Sequence, residues 1–420
     1  MMSPDSTPRP WREQPERFRI AVRLGALLLA AVVACLGPLV RAECGRIIPA
    51  LSPFLSVCSA IARRGTDFLF LLGLPLLVLA FFRGRWFCRR LCPTGTVAWL
   101  AGRLRPGRRA PALPRACLGP WLAALALGGA IAGLPWFLWL DPLAMWNGFF
   151  SAFRPGRIGW AETLFGLGLA LVAASGFVFP HLWCERLCPL GAFQNGLGSL
   201  GARVRRRLGP IPDRDCGPAG GGLRRRGFLG IGVALGALAA LGGRGRASAA
   251  PVRPPGAAPG NSFLGLCSRC GACFRACPHG IIEPDLGEGG FAALLAPRLR
   301  FDGRYCSEWC RECTRVCPTG AIRGLSLEAK RRTALGLAVV NRDACLAWTE
   351  GQHCMICDEY CPYDAIVAVT VNGISCPTVD EKVCAGCGAC ESQCPVSPEK
   401  AIQVRGHAVQ KAALPREAED

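Results

Sequence analysis

The sequence predicts a multidomain chain: an α-helical membrane domain of four helices in a duplicated hairpin, a fifth signal-anchor helix, and then an α+β domain organised by cysteine. Three observations predict this class. Apolar runs crowd the first half, cysteines crowd the C-terminal third, and one nine-residue cysteine pattern occurs twice among the apolar runs. The 420 residues leave room for two or three domains. Hydrophobic residues make up 51% and mean hydropathy is +0.29, high for a soluble protein.

The helices come first. Leu24–Val40, Phe68–Phe82, Ala116–Leu140 and Thr163–Pro180 each lack Asp, Glu, Lys and Arg. Their lengths are near what a membrane span needs, with Phe68–Phe82 short. A buried globular helix is the alternative for any one run, but four in the first 185 residues favour spans. Arg83 to Arg115 holds nine Arg, and Arg186 to Arg226 holds nine more. By the positive-inside rule these loops face the cytoplasm, together with the Arg-rich N-terminus. Trp136, Trp139, Trp146 and Trp160 then fall at the outer boundary, where aromatic belts sit. The net charge of +20 also suits nucleic-acid binding. The Arg residues cluster between apolar runs instead, so no nucleic-acid partner is expected. Only four His occur and there is no C-x-x-C-H run, so attached haem is not expected.

A fifth apolar run, Gly227–Gly243, follows Arg224-Arg225-Arg226 and ends near Ala247-Ser248-Ala249. That is the form of a twin-arginine export signal. An ordinary fifth helix with Arg anchors is the alternative, and both place the following domain outside. Pro251 to Pro259 reads as an extended, mobile Pro/Ala/Gly linker. The expected units are therefore residues 1–215, the four-helix domain; 216–250, the signal or anchor; 251–261, the linker; 262–404, the cysteine-rich domain; and 405–420, a polar, poorly ordered tail.

The cysteine-rich domain carries four motifs. Cys267-x2-Cys270-x2-Cys273-x3-Cys277-Pro278 and Cys384-x2-Cys387-x2-Cys390-x3-Cys394-Pro395 have the spacing that wraps three corners of a [4Fe–4S] cubane and sends a fourth cysteine to a partner cluster. Cys306-x3-Cys310-x2-Cys313-x3-Cys317-Pro318 and Cys345-x8-Cys354-x2-Cys357-x3-Cys361-Pro362 vary only the first step. Zinc ribbons also use C-x-x-C pairs, but structural zinc has no use for the diverging fourth cysteine. Four [4Fe–4S] clusters are expected. Gly280-Ile281-Ile282, Gly320-Ala321-Ile322 and Asp364-Ala365-Ile366 each read as the start of a short strand after a motif.

Phe87-Cys88-Arg89-Arg90-Leu91-Cys92-Pro93-Thr94-Gly95 repeats, 96 residues on, as Trp183-Cys184-Glu185-Arg186-Leu187-Cys188-Pro189-Leu190-Gly191. The four thiolates Cys88, Cys92, Cys184 and Cys188 suffice for a fifth [4Fe–4S] cluster. A redox-active thiol pair and cysteines without a cofactor are the other readings. Asp67 and Glu162 stand at matching outer positions as proton acceptors for an oxidised quinol, or as plain interfacial charges. Cys44 and Cys58 share an outer loop and suit a disulfide. Cys35, Cys117, Cys216 and Cys376 have no motif.

With these motifs in view, the first 215 residues resemble the NapH family through the paired C-x3-C-P motifs, and residues 224–404 resemble the NapG family through Arg225-Arg226 and the motif order. MauN and MauM share the pattern. The resemblance implies an α+β ferredoxin-like outer domain and a fusion of two usually separate proteins. It implies that the first motif pairs with the fourth and the second with the third, so that Cys277 and Cys394 exchange, as do Cys317 and Cys361. No further cysteine motif lies between Cys188 and Arg224, where NapH proteins carry cytoplasmic ferredoxin motifs. The implied role is that of an electron-transfer subunit, a quinol dehydrogenase component of the bacterial inner membrane. It would be multi-pass, with its cluster domain on the periplasmic side. Membrane quinol would be the donor. A periplasmic cytochrome or a terminal reductase or dehydrogenase would be the acceptor, alongside other membrane electron-transfer subunits. The alternative is a NosR-like maturation or regulatory factor for a periplasmic redox enzyme.

Overall fold

The computed structural model describes residues 16–66, 70–104, 117–153, 163–179, 181–208 and 250–413. Asp67, Trp160, Glu162, Cys216 and the run Gly227–Gly243 lie outside the described residues.

The helical half is two copies of one plan. The first copy runs through α1 (Glu16–Val40), α2 (Pro53–Arg63), α3 (Phe70–Arg83) and α4 (Pro93–Arg103). The second runs through α5 (Gly119–Ile131), α6 (Pro142–Ser151), α7 (Leu167–Val178) and α8 (Pro189–Leu208). Residues Glu16–Leu36 of α1 are long and apolar enough, by length and composition, to cross a membrane, while α3, α5 and α7 are apolar but shorter. The run Ala116–Leu140 is not one helix. It stops at Ile131, where Gly133 takes φ +80°, Leu134 N–H donates to the Gly129 carbonyl at 2.7 Å and Gly133 N–H to Ala130 at 3.0 Å. This is a glycine-closed helix end followed by Pro135.

Each copy also folds a short helix inward. α2 is capped by Ser52 with Pro53 in its first turn, and α6 by Asp141 with Pro142 in its first turn. A short polar cap before a proline is a strong helix start, because the proline needs no N–H partner there. The two caps meet: Ser52 Oγ donates to Asp141 Oδ2 at 2.6 Å, fully buried. The copies then trade their last helices. α4 packs on α7 and α8 packs on α3. Small residues allow the approach, with Gly176 against Ala98 and Gly198 against Gly84. Trp146, placed by the sequence in an exposed belt, is buried in this core and lies 4.9 Å from Phe150 between ring centroids.

The outer domain consists of short antiparallel ribbons around the cysteine loops. β1 (Ile282–Pro284) pairs with β2 (Pro297–Leu299), β3 (Thr333–Val340) with β6 (Ile402–Ala412), and β4 (Ile366–Val371) with β5 (Ile374–Val379). Four one-turn helices sit within the motifs: α9 (Ala272–Ala276), α10 (Glu312–Arg315), α11 (Ile356–Glu359) and α12 (Ala389–Gln393). Two expectations are corrected. The Pro/Ala/Gly segment is strapped to the domain rather than mobile: Leu299 N–H donates to Val252, Gly256 N–H to Gln410 Oε1 and Ala258 N–H to Ala321. The domain also continues past 404. β6 runs to Ala412, which stands opposite Thr333, so residues 405–412 belong to the sheet. Their polar alternation belongs to a paired strand with one face exposed, which composition alone cannot tell from a tail.

Candidate metal centres

The outer cysteines gather around hollows. Cys267, Cys270, Cys273 and Cys317 line one hollow. Cys361, Cys384, Cys387 and Cys390 line a second, and Cys345, Cys354, Cys357 and Cys394 a third. The remaining four stand together, with Cys313 in electrostatic reach of Cys306, Cys310 and Cys277. The first motif is therefore joined to the second and the third to the fourth, not first to fourth and second to third. The cause is local. α9 packs on α10 and α11 on α12, so each helix turns its closing cysteine into its neighbour's cup.

The residues present fit [4Fe–4S] clusters. The three lined sets each supply four sulfurs, and the remaining lining is mostly apolar, such as Phe263, Ile322, Ile366, Val340 and Ile402. Among the described residues no three His, Cys, Asp or Glu converge as they would around a single metal ion. Backbone N–H groups point at the sulfurs, from Ile322 to Cys317 at 3.4 Å and from Ala365 to Cys361 at 3.3 Å. Burial pushes the Cys270 and Cys387 thiols up to about 12, and that of Cys306 to about 11. Such thiols become thiolates at neutral pH only when a cation compensates them, as iron does.

The repeated C-x3-C-P cysteines also converge. Cys88, Cys92, Cys184 and Cys188 lie within electrostatic reach of one another, at the meeting point of the two copies. The proline in the signature has a physical role. Cys92 and Cys188 cap α4 and α8, their sulfurs accepting from Gly95 N–H at 3.4 Å and Gly191 N–H at 3.3 Å, with Pro93 and Pro189 in the first turn. The Arg85 guanidinium donates to the Cys184 carbonyl. Sequence reasoning missed Gln194. It is wholly buried, accepts from the Cys88 thiol at 3.1 Å, and leaves its amide nitrogen without a partner among the described residues. An orphaned buried N–H₂ beside four sulfurs fits the sulfide of a cluster. A glutamine six residues after the closing cysteine carries no motif signal of its own.

The four outer groups form a sequence in space. Cys273 is in reach of Cys313, linking the first outer set to the second. Cys306 N–H donates to the Cys387 carbonyl at 2.9 Å, linking the second to the set of Cys384. Cys390 is in reach of Cys357, linking that set to the last. The helical half meets the first two motifs of this row. Arg275 of the first donates to the carbonyls of Ala34 and Cys35 of α1, and Arg315 of the second pairs with Glu43. Cys44 and Cys58 are not joined to each other or to any other described cysteine; Cys58 faces inward from α2 and is fully buried.

Comparison with known proteins agrees with the donor sets. A 4Fe-4S dicluster domain model matches residues 266–321, the span of the first two motifs. A 4Fe-4S binding domain model matches twice, at 66–111 and 161–207, once over each C-x3-C-P motif. The ferredoxin-type protein NapF of Escherichia coli (strain K12) is 36% identical over 169 residues, covering 40% of this chain and 94% of the relative. The methylamine utilization ferredoxin-type protein MauM of Methylorubrum extorquens is 36% identical over 173 residues, covering 38% and 74%. The ferredoxin-type protein NapG of E. coli K12 is 32% identical over 200 residues, covering 45% and 83%. No solved structure matches.

Proposed function

Because this chain belongs to the family of ferredoxin-type proteins that includes NapF, NapG and MauM, it is an iron–sulfur electron-transfer protein, and we propose that it is a membrane-bound conduit from quinol to a periplasmic acceptor. In this reading a NapH-like membrane unit is fused to a NapG-like domain. The outer domain holds four [4Fe–4S] clusters and the C-x3-C-P quartet holds a fifth. When bound, the clusters supply one-electron chemistry. Oxidation of a quinol to the quinone releases two protons and two electrons, and the electrons leave singly toward a cytochrome, reductase or dehydrogenase outside. The chain's own contribution is to hold the thiolates, exclude water with apolar walls and aim N–H groups at the sulfurs.

The observation that carries this reading is the arrangement of the two kinds of cysteine site. The quartet lies where the repeated helices cross, and the row of four sets begins where the outer domain rests on the helical half. A maturation factor has no need of a continuous row that reaches the apolar half. The test uses the full chain purified anaerobically in detergent. Iron analysis is expected to give roughly twenty irons per chain, four for each of five cubanes. A soluble quinol such as duroquinol is expected to bleach the cluster absorbance. If dithionite reduces the clusters and no quinol does, the conduit reading fails and the maturation or regulatory alternative takes its place.

A further inference from the structure

We propose that α6 is a strut that holds the first outer motif at a fixed distance from the C-x3-C-P quartet, with Asn147 as the residue that positions the Cys270 loop, so that electrons enter the outer domain at the first motif. The strut's role in electron input rests on the conduit reading above; its positioning role does not.

Both ends of α6 are tied. At the inner end, Thr94 Oγ1 donates to the Pro142 carbonyl at 2.6 Å, two residues after Cys92. Asp141 caps the helix there through Leu143 N–H at 2.9 Å and Ala144 N–H at 3.2 Å, and is itself held by Ser52. At the outer end, Asn147 Nδ2 donates to the Cys270 carbonyl at 2.8 Å, and Ser151 Oγ reaches the same oxygen at 3.4 Å. From Pro142 to Ser151 a helix advances roughly 14 Å, and it does so rigidly. One short helix thus touches the loop of a quartet cysteine and the loop of a first-motif cysteine.

The outer contact is tightly fitted. Asn147 is 4% exposed and Ser151 is 1% exposed, inside an otherwise apolar cluster that includes Trp146, Leu143 and Ala272. A buried amide is tolerated only when its hydrogen bonds are made, so this asparagine is better explained by its partner than by its burial. Gly271, at φ +70°, lies flat on the helix. A Cβ there would come within 2.5 Å of the Ser151 Cβ. The main chain of the first motif therefore rests directly on α6. Arg275, at the end of α9, adds a second anchor on the Ala34 and Cys35 carbonyls of α1.

The test uses the full chain in detergent. Asn147→Leu removes the donor and keeps an apolar volume; Asn147→Asp keeps the shape and replaces the donor with an acceptor; Gly271→Ala forces the loop off the helix. Each is expected to raise amide exchange in residues 268–276 by about tenfold, the equivalent of one lost buried hydrogen bond, with residues 384–394 unchanged. Dithionite-reduced protein is expected to keep its iron and to shift one cluster's EPR signal. Duroquinol is expected to reduce the outer clusters at least severalfold more slowly, with reduction by dithionite unaffected. Unchanged exchange at 268–276 in all three variants overturns the positioning role. Raised exchange with a wild-type rate of duroquinol reduction overturns electron input at the first motif. If the wild type itself is not reduced by duroquinol, the conduit reading fails along with electron input at this motif, while exchange and EPR still decide the positioning role.

Discussion

At the scale of single residues, the fourth cysteine of each motif is the one whose partner matters. Cys317 lines the hollow of Cys267, Cys270 and Cys273, although it belongs to the second motif in sequence. Cys317→Ala should therefore remove about four irons, and adding Cys273→Ala should remove no more, because both serve one cubane. Combining Cys317→Ala with Cys310→Ala should remove about eight. Iron and sulfide analysis of the purified variants checks this, and a loss of about eight irons from the Cys317/Cys273 pair would restore the first-to-fourth pairing. The spacing made the ligands legible, since three cysteines two apart can hardly serve anything but a cubane. It did not reveal which cup the fourth enters. That depends on α9 packing on α10, a contact between segments some forty residues apart that no local pattern encodes. Gln194 was hidden for a similar reason. Its meaning comes from an orphaned amide beside Cys88, not from its place in the chain.

At the scale of elements, the apolar runs coincide with α1, α3, α5 and α7, but hydropathy alone gives neither their ends nor the inward helices. The signals were present. Gly133 before Pro135 marks the stop of α5, and Ser52-Pro53 and Asp141-Pro142 mark the starts of α2 and α6. Hydropathy overrode them, because Leu134, Trp136 and Leu138 continue the apolar run beyond the helix. The exchange of α4 and α8 between copies had no sequence signal beyond small residues. It has a mechanical consequence. Gly176 faces the Ala98 backbone so closely that a Cβ would sit 2.6 Å from the carbonyl oxygen. Gly176→Leu should overpack this crossing and destabilise the helical half by about 1–3 kcal/mol. Thermal loss of helical ellipticity in detergent should move to lower temperature. Gly196, which a Cβ would leave in open space, supplies the control: Gly196→Ala should leave the transition unchanged or raise it, since alanine favours helix. Equal melting of Gly176→Leu and wild type would contradict the close crossing.

At the scale of the whole molecule, α1 relates the quartet end to the outer domain. Near its start, Glu16 pairs with Arg103 at 2.5 Å and Arg23 donates to the Arg89 carbonyl, beside the first C-x3-C-P motif. Farther along, the carbonyls of Ala34 and Cys35 receive Arg275 of the outer domain; Pro38, which has no N–H, leaves the Ala34 carbonyl free to accept. Twenty-five residues of helix advance roughly 37 Å. A bilayer's hydrocarbon core is about 30 Å thick, so a chain that crosses it with α1 carries the Glu16 end and the outer domain toward opposite sides, with the quartet, beside Arg23, partway between them. The Arg-rich loops decide which side is which. Arg83, Arg85, Arg89, Arg90 and Arg103 belong to the quartet end, and positive loops stay in the cytoplasm. The outer domain should then face the periplasm. Alkaline phosphatase fused after Asp420 should be active and a green fluorescent protein fused there dark, since the former folds only outside and the latter fluoresces only when folded inside. A bright fluorescent fusion with an inactive phosphatase would reverse the orientation. In that case quinol-derived electrons would be delivered to the cytoplasm, although the contacts between α1 and Arg275 would be the same.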